Sequence, residues 1–329
     1  MKTKKFGKLE NGDSFYTNAG IRKRGSAMAE NLKRTDLALE AREIAMGEAP
    51  GQSGEPDGVK CDEYEKNGYP VTRVEVLDER GEAAIGKPRG VYITIELHDL
   101  IRREQDAFPR GAKTIAHELR ELVPRSGTVL VAGLGNRGIT PDAVGTKTAE
   151  HVMVTRHLVS RVPQYFGDFR PVAAVTPGVL GITGVETAEI IRGVTERVAP
   201  ACIIVIDALA SRRLSRLCST VQISNTGITP GSGVGNAAAE ITEKSLGVPV
   251  IAIGVPTVVD AATLALDIAQ EAGVPDLDPQ ELLKSGGSLI VTPKDIDRYM
   301  SDAAKIIGYG INLALHDGID LADIDMFLS

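Results

Sequence analysis

Between residues 128 and 254 the chain repeats one texture. Short, nearly uninterrupted apolar runs, TVLVAG (128–133), PVAAV (171–175), ACIIVID (201–207) and VPVIAIG (248–254), alternate with stretches of helical spacing. Runs this apolar, with no polar alternate face, belong to strands covered on both sides, which calls for helices in the crossovers between parallel neighbours. Helices are expected from Pro141 to about Leu158, over 185–198, after the third run, and from Pro256. A tail helix is expected to bury Ile296, Met300, Ala303 and Ile307. Upstream, VTRVEV (71–76) and VYITIEL (91–97) alternate with a period of two and read as half-buried antiparallel strands joined by a charged turn. The expected fold class is α/β: a mixed, largely parallel central sheet sandwiched by helices, with a small antiparallel β elaboration near the N-terminus, at about residues 60–100.

Composition narrows the function. With 43% apolar and 25% charged residues over 329 positions, the chain can bury a large core. No apolar run approaches the roughly 18–20 residues that span a bilayer, so no membrane association is expected. Three cysteines, Cys61, Cys202 and Cys218, show no metal or disulfide spacing, which suits a reducing, cytoplasmic setting. Residues 1–35 carry nine Lys/Arg against three Asp/Glu, a net of +6; the whole chain is −7, which leaves −13 on residues 36–329. A basic leader on an acidic body reads as a nucleic-acid arm, a tail, or a segment docked on its own acidic surface. The acidic body, lacking a basic stripe, argues against a dedicated nucleic-acid binder.

Two carboxylates stand out. Asp207 ends the run CIIVID, at the carboxyl edge of a buried strand, where α/β sheets place ligands. Asp142 follows the neighbouring strand in TPDAVG; its alternative role is to offset a helix dipole in a first turn, behind a capping Thr140 and with Pro141 at the first helical position. If the two face one cavity, they can share a water as acid and base, or a divalent metal. Gly133, Gly135 and Gly138 satisfy G-x-G-x-x-G after a strand, a dinucleotide fingerprint weakened by the missing acidic residue about 20 positions on. The glycine-rich loop 224–236 lacks a P-loop ending and suits the close approach of an extended peptide. No HExxH or G-x-S-x-G occurs, and the five histidines read as structural.

The ordered segments RTDLALEA (34–41), EAAIGKPRG (82–90), VAGLGNRGITPDAVG (131–145), RPVAAVTPGVLGITGVET (170–187), VIDALASR (205–212), ISNTGITPGSGVGN (223–236) and VPVIAIGVPTVVDA (248–261) closely resemble the bacterial spore germination protease family. The resemblance implies an endopeptidase of the spore core that degrades small acid-soluble spore proteins during germination. It implies a homotetramer with a fold similar to that of hydrogenase-maturation proteases. It also implies Asp142 and Asp207 as catalytic carboxylates of an atypical aspartic-type enzyme, with no cofactor assigned and a metal left open. A metal-dependent endopeptidase using the same aspartates, and a nucleotide-binding α/β protein, are the competing expectations.

The family matures by self-cleavage at an Asp-Leu-Ala site, which places processing between Asp36 and Leu37. Residues 1–36 would then be a basic propeptide and 37–329 the endopeptidase domain. Asn136, Arg137, Lys147, Gly231, Gly233 and Asn236 are the expected substrate-binding residues. Arg137, Lys147 and Arg156 are candidates for a positive subsite that accepts an acidic side chain, and Asn236 is a candidate oxyanion donor.

Overall fold

A computed structural model describes residues 35–48, 54–234, 238–273 and 289–329. The basic leader through Arg34, as well as Gly235 and Asn236, lies outside the described residues.

One mixed sheet organises the chain. Its strands are β1 (Val59–Lys66), β2 (Tyr69–Val76), β3 (Gly90–Glu96), β4 (Val129–Gly133), β5 (Val172–Val175), β6 (Cys202–Ala210), β7 (Thr220–Ser224), β8 (Val250–Asp260) and β9 (Ile290–Val291). They run in the order β1-β2-β3-β7-β8-β6-β4-β5, with β9 appended to β8. β5, β4, β6 and β8 are mutually parallel, and β8-β7-β3-β2-β1 continue antiparallel. The antiparallel elaboration is therefore the second half of the same sheet, joined to the first across β7 and β8.

Alternation along the strands separates two faces. Val131, Ile204, Ile206, Ile253, Ile93 and Ile223 bury one face against the helices Ala107–Leu122 and Ile296–Leu315. On the other face, Leu130, Ile203, Val205 and Val250 pack with Ala188 and Ile191 of the helix Thr187–Val198. Farther along that face, Val74, Val76 and Tyr92 pack with Ala38 and Ala41 of the helix Ala38–Glu48 and Ile85 of Glu79–Ile85. The cavity described below opens on this second face, where Tyr92 meets β7 and the end of β8.

The chain departs from its sequence pattern in four places. The charged turn between β2 and β3 is a helix, Glu79–Ile85, because Asp78 caps it by accepting the N–H groups of Arg80 and Gly81. The single helix expected over 141–158 is a 3-10 turn (Thr140–Asp142) and two short helices, Val144–Ala149 and Arg156–Arg161. Between them the backbone is drawn to other elements: Met153 N–H donates to Asn312 Oδ1 (2.9 Å), and Thr155 N–H to the Val172 carbonyl (3.1 Å). β8 runs through Pro256 to Asp260, so no helix starts at that proline; a register shift between Leu209 and Ala210 on β6 accommodates its missing N–H. Finally, neither Thr-Pro pair caps a helix. Thr140 Oγ1 donates to Asp297 Oδ1 (2.8 Å) and Thr292 Oγ1 to the Thr257 carbonyl (2.9 Å), ties between elements in place of caps.

Candidate active site

The two aspartates come from neighbouring strands: Asp142 follows β4, and Asp207 lies within β6, which continues to Ala210 rather than ending at the carboxylate. Asp207 lies on β6, on the face shared with Val205 and Leu209, and is only 4% exposed. Burial holds its carboxyl well above the usual range; the charge of Asp142 adds to the effect, the Ala208 N–H opposes it, and Asp36 pushes it up further. Asp142 lies at the end of the 3-10 turn beyond β4 and is half-buried. Its Oδ2 accepts the Asn136 N–H (2.8 Å), which partly offsets the upward push of burial. Asn136 thus positions Asp142 through its main chain, while its own Oδ1 accepts the Gly138 N–H (2.9 Å).

The glycines of the fingerprint serve this arrangement. Gly135 has φ +93°, and a Cβ there would meet the Asp142 carbonyl at 2.0 Å; one on Gly133 would meet the Gly145 carbonyl at 2.2 Å. These glycines let the strand–loop–helix segment pack closely against the backbone that carries Asp142.

A cavity of about 360 Å³ opens on the same face as Asp207: Leu209, two residues farther along β6, and Gly254, the partner of Asp207 on β8, line it, whereas Asp207 and Asp142 do not. Among its lining residues are Tyr92, Ser224 and Gln222 from the antiparallel half and Leu209, Ala252 and Gly254 from the parallel half. Asp36 and Thr35 are seated in it. Asp36 pairs with Ala210 in both directions: its N–H donates to the Ala210 carbonyl (2.9 Å), and its Oδ2 accepts the Ala210 N–H (2.8 Å). Ser232 Oγ donates to Asp36 Oδ1 (2.9 Å), Gln222 Nε2 to the Asp36 carbonyl (3.3 Å), and Lys87 Nζ to the Thr35 carbonyl (3.0 Å). Burial pushes the Lys87 ammonium pKa down, against the pull of Asp36 and Glu40.

Beyond Asp36 the chain disappears into the protein: Leu37 and Ala38 are both 0% exposed. Glu40, 1% exposed, fixes this turn by accepting from the Arg212 and Arg213 N–H groups (2.6 and 3.0 Å) and from Arg216 Nη1 (3.3 Å). A buried carboxylate with this many donors is compensated, and removing any one of them exposes the cost of its burial.

Sequence reasoning named several of these residues and missed others. Asp142 and Asp36 lie near enough to Asp207 for their charges to raise its pKa, but of the three only Asp36 lines the cavity, together with Gly233; Gly231 lies in the turn just before it. Arg137 and Lys147 are not among the lining residues. Arg137 pairs with Glu150 on the exposed surface, and Arg156 is likewise exposed. The carboxylate of Asp36 is met instead by a main-chain N–H and a hydroxyl. Lys87, Ala210 and Ser232 fall within the quoted segments but were not singled out, and Gln222 lies outside them. Gln222 alone had a detectable signal, as a long polar residue inside the otherwise short, buried TVQIS. Among the described residues, no three His, Cys, Asp or Glu side chains gather as a metal set.

The sequence matches the germination protease family over residues 38–270 and 279–328. It is 48% identical over 323 residues to the germination protease of Caldanaerobacter subterraneus subsp. tengcongensis, covering 90% of this chain and 98% of that one. It is 46% identical to that of Clostridium tetani (90% and 99% covered) and 38% identical to that of Priestia megaterium (87% and 94%). Among solved structures, the NiFe hydrogenase maturation protease HycI from Thermococcus kodakarensis aligns over 59% of this chain and 98% of its own, at 15% identity and a TM-score of 0.34.

Proposed function

Since this chain belongs to the germination protease family, we propose that it is a zymogen endopeptidase that degrades small acid-soluble spore proteins in the germinating spore core. It would remove its own residues 1–36 by cutting between Asp36 and Leu37, and it would assemble as a homotetramer, as the family resemblance implies.

The observation that carries this reading is the seating of the chain's own Asp36–Leu37 bond. Asp36 lines the cavity, and its charge, like that of Asp142, raises the pKa of Asp207, while Leu37 and Ala38 are buried. The nearness of the proposed cleavage site to Asp207 supports this reading.

The chemistry follows from the two environments. Burial holds Asp207 well above the ordinary carboxylate range, whereas the Asn136 N–H tempers the rise of Asp142, so in this mechanism Asp207 is the proton donor and Asp142 the base. Asp142 takes a proton from water as its oxygen attacks the scissile carbonyl carbon. Asp207 gives its proton to the departing amide nitrogen, and the C–N bond breaks. Each proton transfer supplies roughly 10²–10⁴ in rate.

The acidic residue before the cut is recognised by neutral donors, the Ala210 N–H and the Ser232 hydroxyl. Hydrogen bonds to a charged acceptor contribute roughly 1.5–3 kcal/mol each without the cost of burying a cation.

The test is to follow processing of the full chain, and cleavage of a small acid-soluble spore protein by a form beginning at Leu37, in wild type, Asp142→Asn and Asp207→Asn, with and without EDTA. Loss of at least ~10²-fold in both variants, indifferent to EDTA, is expected. Retained cleavage in either variant would sink the carboxylate pair. Loss in EDTA would turn the same side chains into metal ligands.

A further inference from the structure

We propose that Gln222 is a catalytic residue of this peptidase: its side-chain amide is the donor that stabilises the oxyanion formed at the scissile carbonyl. The inference rests on the endopeptidase reading above and adds a third participant to its chemistry.

The sheet register is the first support. Gln222 on β7 pairs with Gly254 on β8, and Gly254 in turn pairs with Asp207 on β6. Directly paired residues point to the same face of a sheet, so Asp207 and Gln222 stand in one row on one face with a glycine between them. Neighbouring strands lie ~4.8 Å apart, which leaves a gap of two strand spacings, ~10 Å, between the two backbones. Gly254 sends no side chain of its own into that gap; the Leu209 side chain lies over it, 2.3 Å from where a Cβ would stand.

The second support is what the amide touches. Nε2 donates to the carbonyl oxygen of Asp36 (3.3 Å), and Oε1 accepts the N–H of Ala38 (2.8 Å). The Asp36 carbonyl is the one that hydrolysis of the Asp36–Leu37 bond would convert to a tetrahedral oxyanion. Gln222 therefore grips the chain on both sides of the bond, and the Ala38 contact fixes which end of the amide faces the carbonyl. A preorganised amide donor at such an oxygen strengthens as charge develops, which is the requirement for catalysis by differential binding.

The third support is the amide's dependence on the peptide. Gln222 is 8% exposed, and both side-chain bonds recorded for its amide go to residues 36–38. A buried amide needs partners. Departure of residues 1–36 removes the carbonyl partner and leaves Nε2 facing the cavity, ready for the carbonyl of the next peptide. Asn236, the donor expected from sequence, lies outside the described residues.

Two variants separate catalysis from positioning. Gln222→Met removes both bonds. Gln222→Glu, assayed at pH 8, keeps an acceptor for the Ala38 N–H and, when ionised, has no donor for the carbonyl. Processing of the full chain should slow ~10²–10³-fold in both, the effect of removing one oxyanion donor. For peptide cleavage by the form beginning at Leu37, kcat should fall by the same factor, with KM changed less than about threefold. Wild-type kcat in Gln222→Glu, or a loss confined to KM, would show that Gln222 only positions the chain and would overturn the inference. Asp207→Asn is measured alongside: if it remains active, the carboxylate-pair mechanism fails; if wild type itself cleaves nothing, the endopeptidase reading fails; if Asp207→Asn is inactive while Gln222→Met retains its kcat, only the role of Gln222 fails.

Discussion

The two halves of the sheet divide the labour of the site differently. The parallel half (β5, β4, β6, β8) is apolar on both faces; Asp207 interrupts it within β6, and Asp142 follows β4. The antiparallel half buries one face in the main core and packs Val74, Val76 and Tyr92 of the other under the helices Ala38–Glu48 and Glu79–Ile85. Next to the parallel half that face turns polar, where Gln222 and Ser224 line the cavity and the following loop contributes Ser232. On the proposed function, the acids belong to the parallel half and the groups that hold the peptide backbone to the antiparallel half, and the seam is where the two kinds of strand become neighbours.

If this division is right, each half can be damaged separately. The largest effect is expected on the seating side. A Cβ on Gly233 would lie 2.1 Å from Asp36 Oδ2, so Gly233→Ala should displace the acidic side chain and slow processing ~100-fold, followed as loss of the full-length band. An unchanged rate would mean the observed seat is not the one used for cleavage. A smaller effect is expected from Ser232→Ala, which leaves the Ala210 N–H as the remaining donor from this pair. It should slow cleavage after Asp about tenfold or somewhat more, and cleavage of an Asp36→Asn chain less, as competing rates would reveal.

The smallest effect lies in the parallel half and concerns stability. Asp207 has a higher pKa folded than unfolded, so the folded chain holds its proton longer, and stability falls as pH rises from the ordinary carboxylate range through the raised value. Asp207→Asn removes that cost. Melting curves between pH 4 and 8 should show no advantage for the variant at the acid end and a Tm gain on the order of 2–4 °C at the alkaline end. Equal Tm differences at both ends would show that Asp207 is not held protonated by its surroundings.

Legibility follows the same division. The parallel strands were plain in the sequence because burial on both faces leaves an unbroken apolar run, and Asp207 was visible as the charge that ends one. Asp142 was visible from its place after the neighbouring strand. β7 was not legible: Gln222 and Ser224, which line the cavity, interrupt its apolar pattern, and five residues are too few to show alternation. β1 was hidden in the same way, since VKCDEYEK pairs with β2 at the sheet edge and keeps most of its side chains in contact with solvent. The acid-binding donors had no sequence signature at all. A main-chain N–H belongs to every residue but proline, and Ala210 acquires its role only from the direction in which β6 leaves the sheet.

Glu40 would give the proposed maturation step an unexpected aftermath. A cut after Asp36 would free the leader, but Leu37 and Ala38 would remain attached to a turn that Glu40 ties to Arg212, Arg213 and Arg216. The matured molecule would then hold the second product of its own first turnover, on a tether of three residues. At effective concentrations on the order of millimolar or above, such a tethered product competes with any arriving peptide. Hydrolysis and availability become separate events, and the interval between them is set by how readily the first turn of the helix Ala38–Glu48 lifts away.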